Sequence, residues 1–432
     1  VRTLGLALAA ALVLAGCGRR ELRPGPEVAA SASAAASAGA VASASAAASG
    51  APAPSANPSA TPGASASSAA AASAAVALDA FDAGPSACRL LYGPAQQPFT
   101  GEATLVPTDT GVEVVVNRPG DPVVLPIPTP PPAAKPVRTT FDEPQPRVSF
   151  PPCAAAAGSI YCADSVGAVH RRHLHDAART LVGQARVGTR IAAAALGEHS
   201  VVAYLAAKQT SEGLTNHAWM SVDDAVPGVL SEDGSGASYV TLARRGPEVV
   251  ALYLDARMAM TPVHARVLSW GDGAARLGKD AVLFIAGSPE RRTAAVIGVP
   301  ATGDAFGLLP IAGESDFGMA AIPIHADPKD DVPAVWSNYP NGLDPALIAA
   351  TVGVSPIKVA RVRPLVARPD SPRVLELGQL DAAGAFTSLG FVPTQGTITT
   401  LSLVADANPK SNALWLHYTD AGGSWVERRA CP

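Results

Sequence analysis

The sequence predicts an all-β fold, a ring of about six or seven small sheets after a disordered N-terminal tether. Three observations predict it. Short apolar runs alternate with Gly, Pro, Asp and Asn punctuation across 84–432. No segment there keeps a helical apolar period over three or more turns; even 191–196 and 346–351, the Ala-rich exceptions, are short. A weak repeat with a spacing of about 48 residues also recurs.

At the start of the chain, Arg2 supplies a positive charge, 4–14 a short apolar core, and Ala15 and Gly16 small residues before Cys17. This is the layout of an export signal. A membrane-crossing helix needs about 20 apolar residues, and this run is shorter, with Arg19 and Arg20 following at once. Leu14-Ala15-Gly16-Cys17 resembles the lipobox of bacterial lipoproteins. The resemblance implies removal of 1–16 as a signal peptide, lipidation of Cys17 and a stable anchor, because several acyl chains hold firmly where one holds only marginally. It also implies export to the cell envelope. Gly18, where inner-membrane lipoproteins often carry Asp, favours the outer membrane of a Gram-negative bacterium.

From 28 to 78 no residue is charged, and the stretch is Ala and Ser with scattered Pro and Gly. Such side chains bury too little apolar area to offset ordering entropy. Ser, Gly and Pro undercut the helix preference of Ala. Residues 17–83 are therefore expected to form the lipidated cysteine and a disordered tether, in which the 28–78 stretch alone would span roughly 40 Å as a coil and about 170 Å fully stretched.

The remainder, 84–432, is long enough for one large domain or two ordinary ones. Lys and Arg (32) nearly balance Asp and Glu (36), giving a net charge of −4. No basic block stands out, so nucleic-acid binding has no electrostatic support. With Cys17 taken by lipid, Cys88, Cys153, Cys162 and Cys431 remain, an even number that in an exported chain suggests two disulfides. Three pairings are open. Cys153–Cys162 is favoured because it closes a small loop, which leaves Cys88–Cys431 to join the two ends of the folded part. The absence of any Cys-x-x-Cys makes a zinc site a weak alternative.

Residues 101–125 read as an initial hairpin, and the Pro-rich 126–136 as an extended connector that separates it from the ring. The repeat lies beyond this connector. One copy runs Arg190-Ile191-Ala192, Gly197, Val201-Val202-Ala203-Tyr204-Leu205 and His217-Ala218-Trp219. The second runs Ser238-Tyr239-Val240, Gly246, Val249-Val250-Ala251-Leu252-Tyr253 and His264-Ala265-Arg266. Fainter echoes start at Ile160, Val282, Ala334 and Ala413. A period in the forties with three or four strands per unit resembles the blades of a β-propeller. Each blade cannot bury both faces alone and needs its neighbours in a ring. Ring closure also demands that the ends meet, as a Cys88–Cys431 bridge requires. The alternative is a pair of β-sandwich domains. No Trp-Asp or Ser-x-Asp-x-Gly-x-Thr-Trp signature ties the repeat to a named propeller family.

Candidate chemistry is sparse. His170, Arg171, Arg172, His173, His175 and Asp176 form the densest polar cluster. On a strand His173 and His175 would share a face and His170 the other, but two histidines need a third ligand before they hold a metal. Asp327, Asp330 and Asp331 lack calcium-loop spacing and read as an acidic turn, as do Asp223-Asp224 and Asp233-Gly234. No Gly-x-Ser-x-Gly and no His-Glu-x-x-His occurs. Of Trp219, Trp270, Trp336, Trp415 and Trp425, four lie in or beside strand-like apolar runs and are expected to pack between blades. No metal, cofactor or catalytic residue is assigned. The expected function is a lipid-anchored, non-enzymatic scaffold whose loops meet a protein or glycan partner; the alternative is a propeller enzyme, hydrolase or lyase, acting on polysaccharide.

Overall fold

The computed structural model describes residues 86–118, 121–129, 151–211, 213–232, 236–255, 261–286, 295–312, 317–339, 347–365, 373–408 and 410–432. They belong to one unit, Ala74–Pro432. The expected signal peptide 1–16, Cys17 and the whole tether to residue 83 lie outside the described residues, as do Asp233 and Gly234. No helix is long and apolar enough among the described residues to cross a membrane.

The described strands form seven antiparallel sheets. β1 (Arg89–Gln97) is set aside for the last of them. Blade 1 holds β2 (Thr104–Thr108), β3 (Gly111–Val116) and β4 (Val123–Pro128). Blade 2 holds β5 (Ala154–Ala156), β6 (Ser159–Ala163), β7 (Ala168–His173) and β8 (Thr180–Gln184). Blade 3 holds β9 (Ala192–Leu196), β10 (His199–Thr210), β11 (Gly213–Val222) and β12 (Gly228–Val229). In blade 4, β13 (Ala237–Arg245), β14 (Glu248–Asp255) and β15 (Thr261–Gly271) are followed by an outer strand in two pieces, β16 (Ala274–Leu277) and β17 (Ala281–Ala286), both paired with β15. Blade 5 holds β18 (Val296–Gly298), β19 (Ala305–Ala312), β20 (Phe317–Ile324) and β21 (Val335–Tyr339). Blade 6 holds β22 (Ile348–Ala350), β23 (Ile357–Pro364), β24 (Arg373–Leu380) and β25 (Phe386–Val392). Blade 7 holds β26 (Thr400–Ala405), β27 (Ala413–Asp420) and β28 (Gly423–Ala430), and β1 returns as its outer strand beside β28.

The first strands of successive blades, β2, β5, β9, β13, β18, β22 and β26, each contact the next, and β26 contacts β2. The chain is therefore a closed seven-bladed β-propeller, and no pair of sandwiches forms. The 101–125 segment is corrected by this arrangement: it does not stand apart from the ring but supplies most of blade 1. The Pro-rich tract begins inside β4, whose only described partner is β3, and an edge strand is where a sheet tolerates proline.

Seven buried apolar clusters sit at the seven seams. The second strand of each blade explains why. In β10, Val201, Ala203 and Leu205 face blade 4, while Val202 and Tyr204 face blade 2. A strand covered on both faces reads as a continuous apolar run rather than an alternating one. The repeat rests on that run: Val201 and Val249 open the apolar stretches of the second strands of blades 3 and 4, and His217 and His264 lie on the third. Ile160 and Ala413 also belong to second strands. Val282 and Ala334 do not; their segments lie in or just before outer strands of blades 4 and 5, so those echoes are out of phase.

Both predicted disulfides form. Cys88–Cys431 joins residues 343 apart in sequence with Cα atoms 4.2 Å apart, and Cys153–Cys162 closes the short loop. The tryptophans divide. Trp415 and Trp425 are fully buried in blade 7, and Trp219 packs partly buried at the blade 2–3 seam. Trp270 is 38% exposed yet stacks across the seam on His199 of blade 3, with ring centroids 3.7 Å apart, whereas Trp336, 49% exposed on outer strand β21, corrects the packing expectation.

One buried group gives stability a pH dependence. His417 on β27 is fully buried, stacks on Phe99 with ring centroids 5.7 Å apart, and has no hydrogen-bond partner at either ring nitrogen. Burial pushes its pKa down to about 4. The unfolded chain takes up this proton near the ordinary histidine value and the folded ring does not. Its contribution is complete above the ordinary value and is lost as pH falls towards 4. In denaturant titrations, His417→Phe is expected to flatten the fall in stability over this window. An unchanged slope would place the acid sensitivity in another group.

Candidate functional site at the ring mouth

The segments that lead into the inner strands gather at one mouth of the ring, and three polar side chains from three blades meet there. Glu102 precedes β2, Arg190 precedes β9 and Tyr239 lies on β13. Arg190 and Glu102 form an ion pair. The Tyr239 side chain is hydrogen-bonded to that of Arg190 and to the backbone of Ala295, which leads into blade 5.

Local structure fixes each. The 98–103 segment is tied to blade 7. Phe99 is buried against His417, the Thr419 hydroxyl donates to the Gly101 carbonyl at 3.1 Å, and Ser402 donates to the Ala103 carbonyl at 2.9 Å. Glu102, between those two carbonyls, keeps its side chain about 30% exposed. Arg190 follows a tight turn in which the Thr189 hydroxyl donates to the Arg186 carbonyl at 2.6 Å, with Gly188 at φ 77°. Ile191, buried at the blade 2–3 seam, anchors the far side. Tyr239 comes just after a break in the β13–β14 register between Ala237 and Tyr239. A bulge of this kind re-aims the side chain beside it.

Burial pushes the Tyr239 phenol up against the opposing pull of Arg190. It is therefore a neutral hydrogen-bonding group near neutral pH. The mouth thus offers a carboxylate acceptor, guanidinium donors and a phenol, held by separate blades at fixed positions. The residues singled out from sequence go elsewhere. His170 pairs with Asp164 at 3.5 Å, and His175 with Glu113 at 3.3 Å. His173 ends β7 and His175 lies in the following turn, so the expected shared face is corrected. Among the described residues no three His, Cys, Asp or Glu side chains group closely enough to hold a metal ion. Asp330 accepts from Lys279 at 3.0 Å. Asp223, at φ 50°, is a turn residue whose carboxylate accepts from the Ser200 amide at 2.9 Å.

No protein-family model and no curated protein matches this chain. Among solved structures, Trypanosoma rangeli sialidase in complex with 2,3-difluorosialic acid is similar over 65% of this chain and 53% of that one, with 9% identity and a TM-score of 0.39. A putative glycoside hydrolase from Bacteroides ovatus is similar over 55% of this chain and 85% of that one, with 13% identity and a TM-score of 0.30. An endo-arabinanase from Bacillus licheniformis is similar over 55% and 91%, with 10% identity and a TM-score of 0.29. The chain spans about half the length of the sialidase it matches. Likeness at this level assigns no chemistry to the mouth.

Sequence reasoning passed over the mouth residues, although a signal was there. Arg190 and Tyr239 both sit at the opening of the repeat, in Arg190-Ile191-Ala192 and Ser238-Tyr239-Val240. A polar or amphipathic residue at the entry of successive inner strands marks the mouth.

Proposed function

We propose that this chain is a lipid-anchored envelope protein whose propeller mouth binds a glycan. The lipobox-like Leu14-Ala15-Gly16-Cys17 and the uncharged tether support anchorage and reach. The observation that carries the binding reading is the Glu102–Arg190–Tyr239 group. Its partners are mutually satisfied, so it is preorganised. Sugar hydroxyls both donate and accept, which suits a surface that mixes a carboxylate with guanidinium and phenol groups. In calorimetric titrations of the full chain with envelope oligosaccharides, Arg190→Ala and Glu102→Gln are each expected to weaken binding about tenfold, the loss of a charge-assisted hydrogen bond. Affinities equal to wild type in both variants would remove the mouth from the reading. For the anchor, lipid incorporation is expected in wild type and not in Cys17→Ala.

A second reading, a hydrolase or lyase acting on polysaccharide, draws on the same convergence of three ionisable groups at one mouth. New chain ends released by wild type and not by Glu102→Gln would move the function from binding to catalysis.

A further inference from the structure

Among the described residues, the seam between blades 1 and 2 has the smallest apolar cluster of the seven, Val115, Ile160, Cys153 and Cys162 at its centre. Beside it opens a cavity of about 290 Å³. Ile160, Cys162 and Ala163 give it an apolar floor, and Arg118, Arg172 and Arg179 stand around it with Asp121 and Asp164.

The charges do not cancel. Asp121 is shared, at 3.3 Å from Arg172 and 3.6 Å from Arg179. Asp164 is committed to its own turn, accepting from the Val166 and Ala168 amides at 3.0 and 2.8 Å. Burial alone would raise its carboxyl, but those amides and His170 hold it below the ordinary value. Arg118 donates to the Pro98 carbonyl at 3.4 Å. Three guanidiniums therefore face one shared carboxylate and one that is occupied. Arg172 is the most constrained. Its side chain is 11% exposed, its Nη2 donates to the Pro122 carbonyl at 2.9 Å, and its buried Nε has no hydrogen-bond partner. A buried donor left unmade is costly, so the Arg172 guanidinium is short of partners and gains from further negative charge placed beside it.

We propose that this cleft is a second binding site, separate from the mouth, for a small organic anion: one oxyanion group on a body about the size of a single ring. The planar guanidinium fork matches carboxylate and phosphate oxygens. The volume lies at the small end of ligand pockets, and the apolar floor suits the face of a ring.

The test titrates the full chain with glucuronate, glucose 6-phosphate and neutral glucose, followed by calorimetry with thermal unfolding as the check on folding. At least one anion is expected to bind tenfold or more tightly than glucose, and more weakly as salt rises. Arg172→Gln is expected to abolish the preference. Arg118→Gln and Arg179→Gln, which alter a half-buried and an exposed arginine at the cavity rim, are expected to reduce it severalfold with the unfolding temperature unchanged. Preference for glucuronate over glucose 6-phosphate assigns a carboxylate, and the reverse a phosphate. Equal binding of all three, or an anion preference intact in folded Arg118→Gln and Arg179→Gln, would overturn the proposal. Arg190→Ala at the mouth is expected to leave this binding untouched, so failure at either site is told apart from failure at the other.

Discussion

Replacing Cys88 with Ser is expected to cost the fold up to about 5 kcal/mol, the stabilisation the chain-entropy model gives a crosslink across so long a loop. The bridge spans 343 residues of sequence and ties β1 to the end of β28. These are the two strands whose pairing closes the ring, from Arg89 opposite Ala430 to Gln97 opposite Ser424. The native contacts of blade 7 survive the substitution, including the Arg429 hydrogen bond to the Cys88 carbonyl at 3.3 Å. The unfolded chain is what changes, since it regains the freedom that the crosslink had removed. Cys153→Ser opens a loop of only 9 residues' separation, and loop entropy grows with the logarithm of length, so its cost is expected to be about half. Denaturant midpoints of both variants, with and without reductant, check this. Equal losses would show that the long bridge does not act through ring closure.

Glu376→Gln is expected to destabilise by about 3–5 kcal/mol, the cost of breaking a buried ion pair from one side. Glu376 is 2% exposed on β24, and one of its carboxylate oxygens accepts from Arg361 Nε at 2.7 Å and Arg363 Nε at 2.8 Å. Arg361 is buried as well. It also lies over the Phe386 ring at 3.7 Å and donates to Ser337 of blade 5 at 2.7 Å. Neutralising the carboxyl leaves this guanidinium in the seam without its counter-charge. Burial would raise the Glu376 carboxyl, but Arg361, Ser388 and Arg363 together hold it below its ordinary value. Its contribution is therefore complete above the ordinary glutamate range and is lost as pH falls through the lower folded value. Acid unfolding of wild type is expected to steepen there, and the slope to be shallower in Glu376→Gln. A variant with wild-type stability at neutral pH would mean that Arg361 is solvated where the structure shows it buried.

Much of the fold is legible without coordinates. The runs at Val201 and Val249 announce second strands because burial on two faces leaves no room for polar residues. Blades 5 and 6 are less visible. The second strand of blade 5, β19, is apolar but carries Pro310, which argues against a central strand, and Lys358, Arg361 and Arg363 keep β23 of blade 6 from reading as an apolar run. The arginines can sit there only because Glu376 is opposite, a partner that pairing in space supplies. The outer strands at Val282 and Ala334 pass for second strands for the same reason in reverse: an apolar run does not say which face its neighbour covers.

By itself, the sequence determined the strand-forming character of the chain, the near-neutral charge and an even set of four cysteines fit for two disulfides, and it favoured a ring without fixing the pairing that closes it. Each of these follows from composition, local period or cysteine arithmetic, which act along the chain. The tertiary structure decided which polar groups meet. Glu102, Arg190 and Tyr239 come from three blades and lie far apart in sequence, and Asp121, Arg172 and Arg179 from two. Their chemistry depends on inter-blade distances of a few ångströms, and those are set by how seven sheets pack into a ring.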